Sequence, residues 1–172
     1  MSQLRLARLC LMLAAVGLSA PALTTAVHAQ EKPAAEAPKD TVRPELFKLL
    51  DPAAIKPLMD AKNYAEVQNR VQQAEAFPNR TPYEDYVVNR MKLSLGSATN
   101  NNAIAMPALE AVINSGRLQG QEQADFILAL GNMHYNAKDY PKAIEWFQRY
   151  QKESATPEKV APSLIRAYYL GG

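Results

Sequence analysis

Residues 127–147, ILALGNMHYNAKDYPKAIEWF, decide the fold. Ile127, Leu130, Gly131 and His134 recur at helical spacing, and a polar turn follows at Ala137-Lys138-Asp139. A second stripe then begins with Tyr140, Ala143 and Phe147. Apolar residues three and four apart share one helix face, and two such stripes joined by a few polar residues describe an antiparallel helical hairpin. Gly131 and Ala143 are small enough to let the two backbones approach, with Leu130, Tyr140 and Phe147 filling the space around that contact.

The same spacing extends outward in both directions. Val67, Val71 and Ala74 form a stripe, as do Val87, Met91 and Leu95, and then Phe126, Leu130 and His134. Sustained period-two alternation and the Asn-Gly or Asp-Gly dipeptides of tight β-hairpins are missing. Asp51-Pro52 reads as an N-cap followed by a first helical residue, and Thr156-Pro157 as another helix start. Pro78, Pro82 and Pro107 read as boundaries. The expected fold is all-α, built of stacked helical hairpins.

Those hairpins repeat. Leu93, Leu95, Gly96, Ala108, Leu109 and Val112 align without gaps on Leu128, Leu130, Gly131, Ala143, Ile144 and Phe147, an offset of 35. Upstream, Ala61-Lys62-Asn63-Tyr64 echoes Ala137-Lys138-Asp139-Tyr140, with about seven additional residues expected in the loop around Phe77 to Glu84. Downstream, Leu164, Tyr168, Tyr169 and Gly172 fall on first-helix positions of a further unit.

Ile127-x2-Leu130-Gly131-x2-His134 with Ala143-x3-Phe147 resembles the tetratricopeptide (TPR) pattern, whose period is 34 residues. The chain is similar to exported bacterial TPR proteins over roughly residues 52–172. The resemblance implies a short right-handed solenoid with a concave groove lined by first-helix positions. Those positions are Arg90, Leu93, Ser97 and Asn100; then Asp125, Leu128, Asn132, Tyr135 and Asn136; then Lys159, Arg166 and Tyr169. Arg90, Asn132, Tyr135, Asn136, Arg166 and Tyr169 are the binding candidates. Asn132 and Arg166 resemble groove residues that hold a peptide backbone or a terminal carboxylate, although Leu128 stands where such a clamp carries Lys. Leu95, Gly96, Ala108, Leu130, Gly131, Tyr140, Ala143 and Phe147 are the packing positions.

The N-terminus reads as an address. Arg5 and Arg8 precede the apolar run Leu9–Leu18, which is too short to span a bilayer, and Val27-His28-Ala29 offers small residues at a cleavage site before Gln30. Residues 1–29 form a signal peptide for the periplasm or secretion, and residues 30–43, rich in charge, Ala and Pro, form a disordered linker. Residues 44–172 form the repeat domain. Its last unit carries Leu164, Ile165, Tyr168 and Tyr169 without a covering second helix, so an incomplete repeat is expected.

Removing the signal removes two Arg and no acid from totals of 19 basic and 17 acidic residues, leaving the mature chain balanced. No net field then draws it to nucleic acid, and no integral membrane segment remains after cleavage. The lone Cys10 and one of two His also leave with the signal. Thiolate zinc sites and Cys nucleophiles are thereby excluded, and His134 is read as a packed residue in a position that usually holds Tyr. Acids such as Asp85, Glu110 and Glu145 lack paired or calcium-loop spacing, and no Gly-rich phosphate loop occurs. No enzyme, cofactor or metal site is expected. The leading expectation is an exported scaffold for a protein or peptide partner. Alternatives are the recruiting front end of a larger envelope enzyme and a structural oligomerisation module.

Overall fold

The computed structural model describes residues 40–172, so the signal peptide and all but the end of the linker lie outside the described residues. Among the described residues there are eight α-helices and no strand. They are α1 Pro44–Leu50, α2 Pro52–Asp60, α3 Tyr64–Glu75, α4 Pro82–Ala98, α5 Asn102–Asn114, α6 Gly120–Asn136, α7 Tyr140–Glu153 and α8 Ala161–Gly171. A 3-10 turn at Pro157–Val160 leads into α8.

Three turns set the register. Lys62, Asn100 and Lys138, spaced 38 residues apart, take left-handed φ values of 56°, 51° and 61°. That conformation lets the next amide reach back to an orphan carbonyl of the helix just ended. Asn63 donates to Leu58 at 2.8 Å, Asn101 to Gly96 at 2.8 Å and Asp139 to His134 at 2.9 Å. The same residues then cap the following helix. Asn63 accepts from the Glu66 amide, Asn101 from Ala103 and Ile104, and Asp139 from Lys142.

Helix starts keep the interval: Pro82 and Gly120 for α4 and α6, and Tyr64, Asn102 and Tyr140 for α3, α5 and α7. Together α1 and α2 occupy the place of α4, since Pro44 and Asp60 stand 38 residues before Pro82 and Ala98. Their break comes from Pro52, which lacks an N–H and drives the preceding residue out of helical geometry. Asp51 accordingly sits at ψ 118° and accepts the Ala53 amide at 2.9 Å.

This register corrects the 35-residue alignment. Gly96 stands at the place of His134, not of Gly131, and Ala105 rather than Ala108 stands at the place of Ala143. A Cβ at Gly96 would lie 2.7–2.9 Å from the backbone N, Cα and Cβ of Ala105. At Gly131 it would meet the Phe147 ring at 2.7 Å and the Trp146 Cβ at 3.4 Å, and Ala143 is not among the nearest neighbours. The even spacing also leaves no room for extra residues around Phe77–Glu84. Pro107 is not a boundary: it lies inside α5, where its missing N–H spares only the carbonyl of Ala103 in the first turn. Thr156 does not cap with its side chain. Its hydroxyl bonds the Tyr150 hydroxyl at 2.9 Å instead.

Each helix packs on its sequence neighbours: α1 and α2 on α3, α3 on α4, α4 on α5, and so on to α8. The second helix of every hairpin buries the same three positions: Val67, Ala105 and Ala143; Val71, Leu109 and Phe147; Ala74, Val112 and Tyr150. In the row Val71, Leu109 and Phe147 side chains grow along the chain while the facing position shrinks, from Ile55 and Leu93 to Gly131. Burying residues of the size of Leu109 and Phe147 is worth about 1.5–3 kcal/mol each. Leu95, Gly96, Ala108 and Leu130 are buried as well, and Tyr140 is half-buried.

The segment before α1 is held by an ion pair. Glu84 opens α4 in a capping box with Thr81 and is fully buried. It accepts from Arg43 through Nε at 2.8 Å, the second guanidinium nitrogen at 2.8 Å and the backbone N at 2.9 Å. The hydrogen bonds from Arg43, aided by the Thr81 amide, outweigh burial and hold the Glu84 carboxyl at a pKa of about 2. Arg43, the last residue of the expected linker, also lies 4.6 Å over the Phe77 ring.

Candidate functional site

The first helices α4, α6 and α8 carry all six binding candidates. In the observed register, Arg90 takes the place of Leu128 rather than Asp125. Leu93 takes the place of Gly131 and packs into the core, so it leaves the groove. Asn100 belongs to a turn. In the turn before α8 and in α8 itself, Val160 and Ala167 are buried, and Leu164 joins the core. At the 34-residue offset expected from the sequence, Arg166 lines up with Asn132 and Tyr169 with Tyr135. On α4 the same rows hold Ser94 and Ser97, both exposed. Ser94 has no apolar periodicity to betray it and was not legible in the sequence.

Two candidates are already engaged. Arg90 pairs with Glu122 of α6 at 2.9 Å and lies 5.9 Å over Tyr86 and 5.3 Å over Phe126. Tyr135 packs edge-on against Tyr140 with ring centroids 5.7 Å apart. The Arg90 contacts continue along α4. Tyr83 and Tyr86 stack at 6.2 Å, and Arg117, from the α5–α6 loop, lies 4.8 Å over Tyr83 and bonds Asp40 at 2.6 Å. The hydrogen bond from Arg117 lowers the Asp40 pKa. This cation–aromatic ladder staples α4 to α6 and to the N-terminal segment. The spacing of Tyr83, Tyr86 and Arg90 on one helix face was the available signal for it.

The other four candidates are free. Asn132, Asn136, Arg166 and Tyr169 are exposed, and none has a side-chain hydrogen bond or ion pair among the described residues. Two primary amides each offer a donor and an acceptor, the complement of a peptide backbone, and the guanidinium adds donors alone. Proton transfer finds less support. His134 is buried with Nδ1 3.3 Å from Asp139 Oδ2, outside hydrogen-bond geometry, and Asp139 is committed to its cap. Among the described residues no group of three or more His, Cys, Asp or Glu could hold a metal ion, and no helix is long and apolar enough to cross a membrane.

Compared with known proteins, the chain matches no family model, no curated protein and no solved structure.

Proposed function

We propose that this protein is an exported scaffold of the TPR-like kind that holds an extended peptide or protein segment on the inner face of a short solenoid. The free polar row of Asn132, Asn136 and Arg166, beside Tyr169, carries this reading. Stacked hairpins present such a row preformed, so little ordering is needed on binding. The evenly repeated turns support a solenoid. Arg166 favours a segment bearing a carboxylate, and the amides of Asn132 and Asn136 suit its backbone.

A fluorescence-anisotropy screen of extended acidic and neutral peptides tests the reading. A bound peptide should lose about fivefold or more in affinity with Asn132→Ala plus Asn136→Ala, at unchanged melting temperature. Equal binding by the variant, or no binding by any peptide, contradicts it. Export is tested separately: expressed with residues 1–29, the protein should appear in the periplasmic fraction with Gln30 as its first residue. Recovery of the full-length chain in the cytoplasm contradicts export.

A further inference from the structure

A cleft between the second helices α5 and α7 carries side chains that the repeat does not require. Its volume is about 260 Å³, and Glu110, Asn114, Lys142, Glu145, Trp146 and Arg149 line it. One hairpin earlier, the places of Glu110, Lys142, Glu145 and Arg149 hold Gln72, Ile104, Pro107 and Ala111. Charges at these places are therefore no part of what hairpins need in order to stack. Trp146 is the most deeply set of the six, only 8 % exposed. Arg149 lies 5.2 Å over its ring and is itself held, donating to Asn114 and to Glu153 at 2.7 Å each. The indole N–H has no hydrogen-bond partner among the described residues, yet it is not sealed from solvent. Trp146 reaches solvent where it lines the cleft, so an acceptor for that N–H comes from the cleft. Glu110, Lys142 and Glu145 are exposed, and none of their side chains has a hydrogen bond or ion pair among the described residues.

The geometry points to this cleft as a binding site for a zwitterionic α-amino acid. Charge selects the class. A simple anion would meet Glu110 and Glu145, and a simple cation would meet Lys142 and Arg149; such like-charge meetings are costly. A neutral sugar would displace water from these charges without supplying a countercharge. An α-amino acid carries both signs on one carbon. Its carboxylate accepts from the Trp146 N–H and the Lys142 ammonium, and its ammonium donates to Glu110 and Glu145. Arg149, committed to Asn114 and Glu153, keeps the indole in place. Size agrees: pockets for drug-sized ligands run from roughly 300 to 1,000 Å³, so this cleft takes a smaller molecule. The site lies on second helices, apart from the Asn132–Arg166 row, and does not depend on that row binding anything.

Trp146 is the sole tryptophan of the chain, so its emission reports on this cleft. Neutral L-amino acids, from alanine to methionine, are titrated into the full chain up to about 10 mM, with calorimetry as a second readout. At least one should give a saturable signal with a Kd of about 1 mM or below. Its N-acetyl derivative, which lacks the ammonium, and its methyl ester, which lacks the carboxylate, should each bind roughly tenfold more weakly. Glu110→Gln combined with Glu145→Gln should abolish the preference for a free ammonium, and Lys142→Gln should weaken the preference for a free carboxylate. All three positions are exposed, so melting temperature should hold, and Trp146 is kept in every variant. Silence in both readouts overturns the assignment. So do equal binding of the two derivatives by the unaltered chain, and unchanged preferences in the folded variants. Tighter binding of a plain amine, a plain carboxylate or a sugar also overturns it, since the ligand class is then another.

Discussion

In the α4–α5 hairpin the glycine lies against backbone, Gly96 against Ala105; in α6–α7 it lies against a ring, Gly131 against Phe147. Both hairpins use the same turn, the same cap and the same buried second-helix positions. Turn geometry is fixed by backbone hydrogen bonds and cannot drift without leaving carbonyls unsatisfied. A glycine has no such anchor. It belongs wherever the facing residue needs room, and that place moves with the facing residue's size. Small residues therefore mark contact, while left-handed turn residues mark register.

The largest expected effect lies outside both contacts, at the lock that ties the N-terminal segment to α4. Arg43→Ala strips the guanidinium from the buried Glu84 carboxylate, leaving it only the backbone amides of Thr81 and of position 43, and should cost about 3 kcal/mol in chemical denaturation. Because the folded pKa of Glu84 is depressed from 4.5 to about 2, its contribution is complete above pH 4.5 and is lost as pH falls toward 2. Melting temperature should fall across that window in the native chain and change less in Arg43→Ala.

Next come the glycines, and here the two hairpins should part. Gly96→Ala drives a Cβ into the Ala105 backbone, which cannot swing aside, so a loss of about 2–3 kcal/mol is expected. Gly131→Ala meets the buried Phe147 ring at 2.7 Å, which must move by more than half an ångström but, as a side chain, can do so without shifting the backbone. The gain in helix propensity, about 1 kcal/mol, offsets part of that strain. Equal costs in thermal melts would mean that the two contacts do not differ as described.

Smaller still are the turns. Lys62→Gly and Lys138→Gly relieve a side chain held at positive φ and should stabilise by about 0.5–1 kcal/mol. Asn100→Gly should change little, because Asn already tolerates that geometry. Destabilisation by both lysine replacements would contradict the left-handed turns.

Much of this fold was legible in the sequence. The stripes Val67-Val71-Ala74 and Tyr140-Ala143-Phe147 gave helices, and the echo between Ala61–Tyr64 and Ala137–Tyr140 marked two of the three turns. The middle turn, Thr99-Asn100-Asn101, keeps the conformation with different residues, so matching glycines shifted that unit by three positions. On that alignment Arg90 falls in the row of Asp125 instead of Leu128, and nothing in the sequence marks Ser94. The Arg43–Glu84 pair links residues far apart in sequence. Only its local half, the Thr81-x2-Glu84 capping box, was there to be read.

The common register makes one demand that no other alignment makes. Leu93 and Leu109 occupy in the second hairpin the places of Gly131 and Phe147 in the third. Gly131→Leu alone should destabilise by about 3 kcal/mol or more, and Phe147→Leu alone by about 1–2 kcal/mol. The double variant, which recreates the Leu–Leu pair, should be more stable than Gly131→Leu alone, a coupling of about 2 kcal/mol in a denaturant double-mutant cycle. Additive losses, or a rescue of Gly131→Leu by a change at Ala143 instead, would contradict the register.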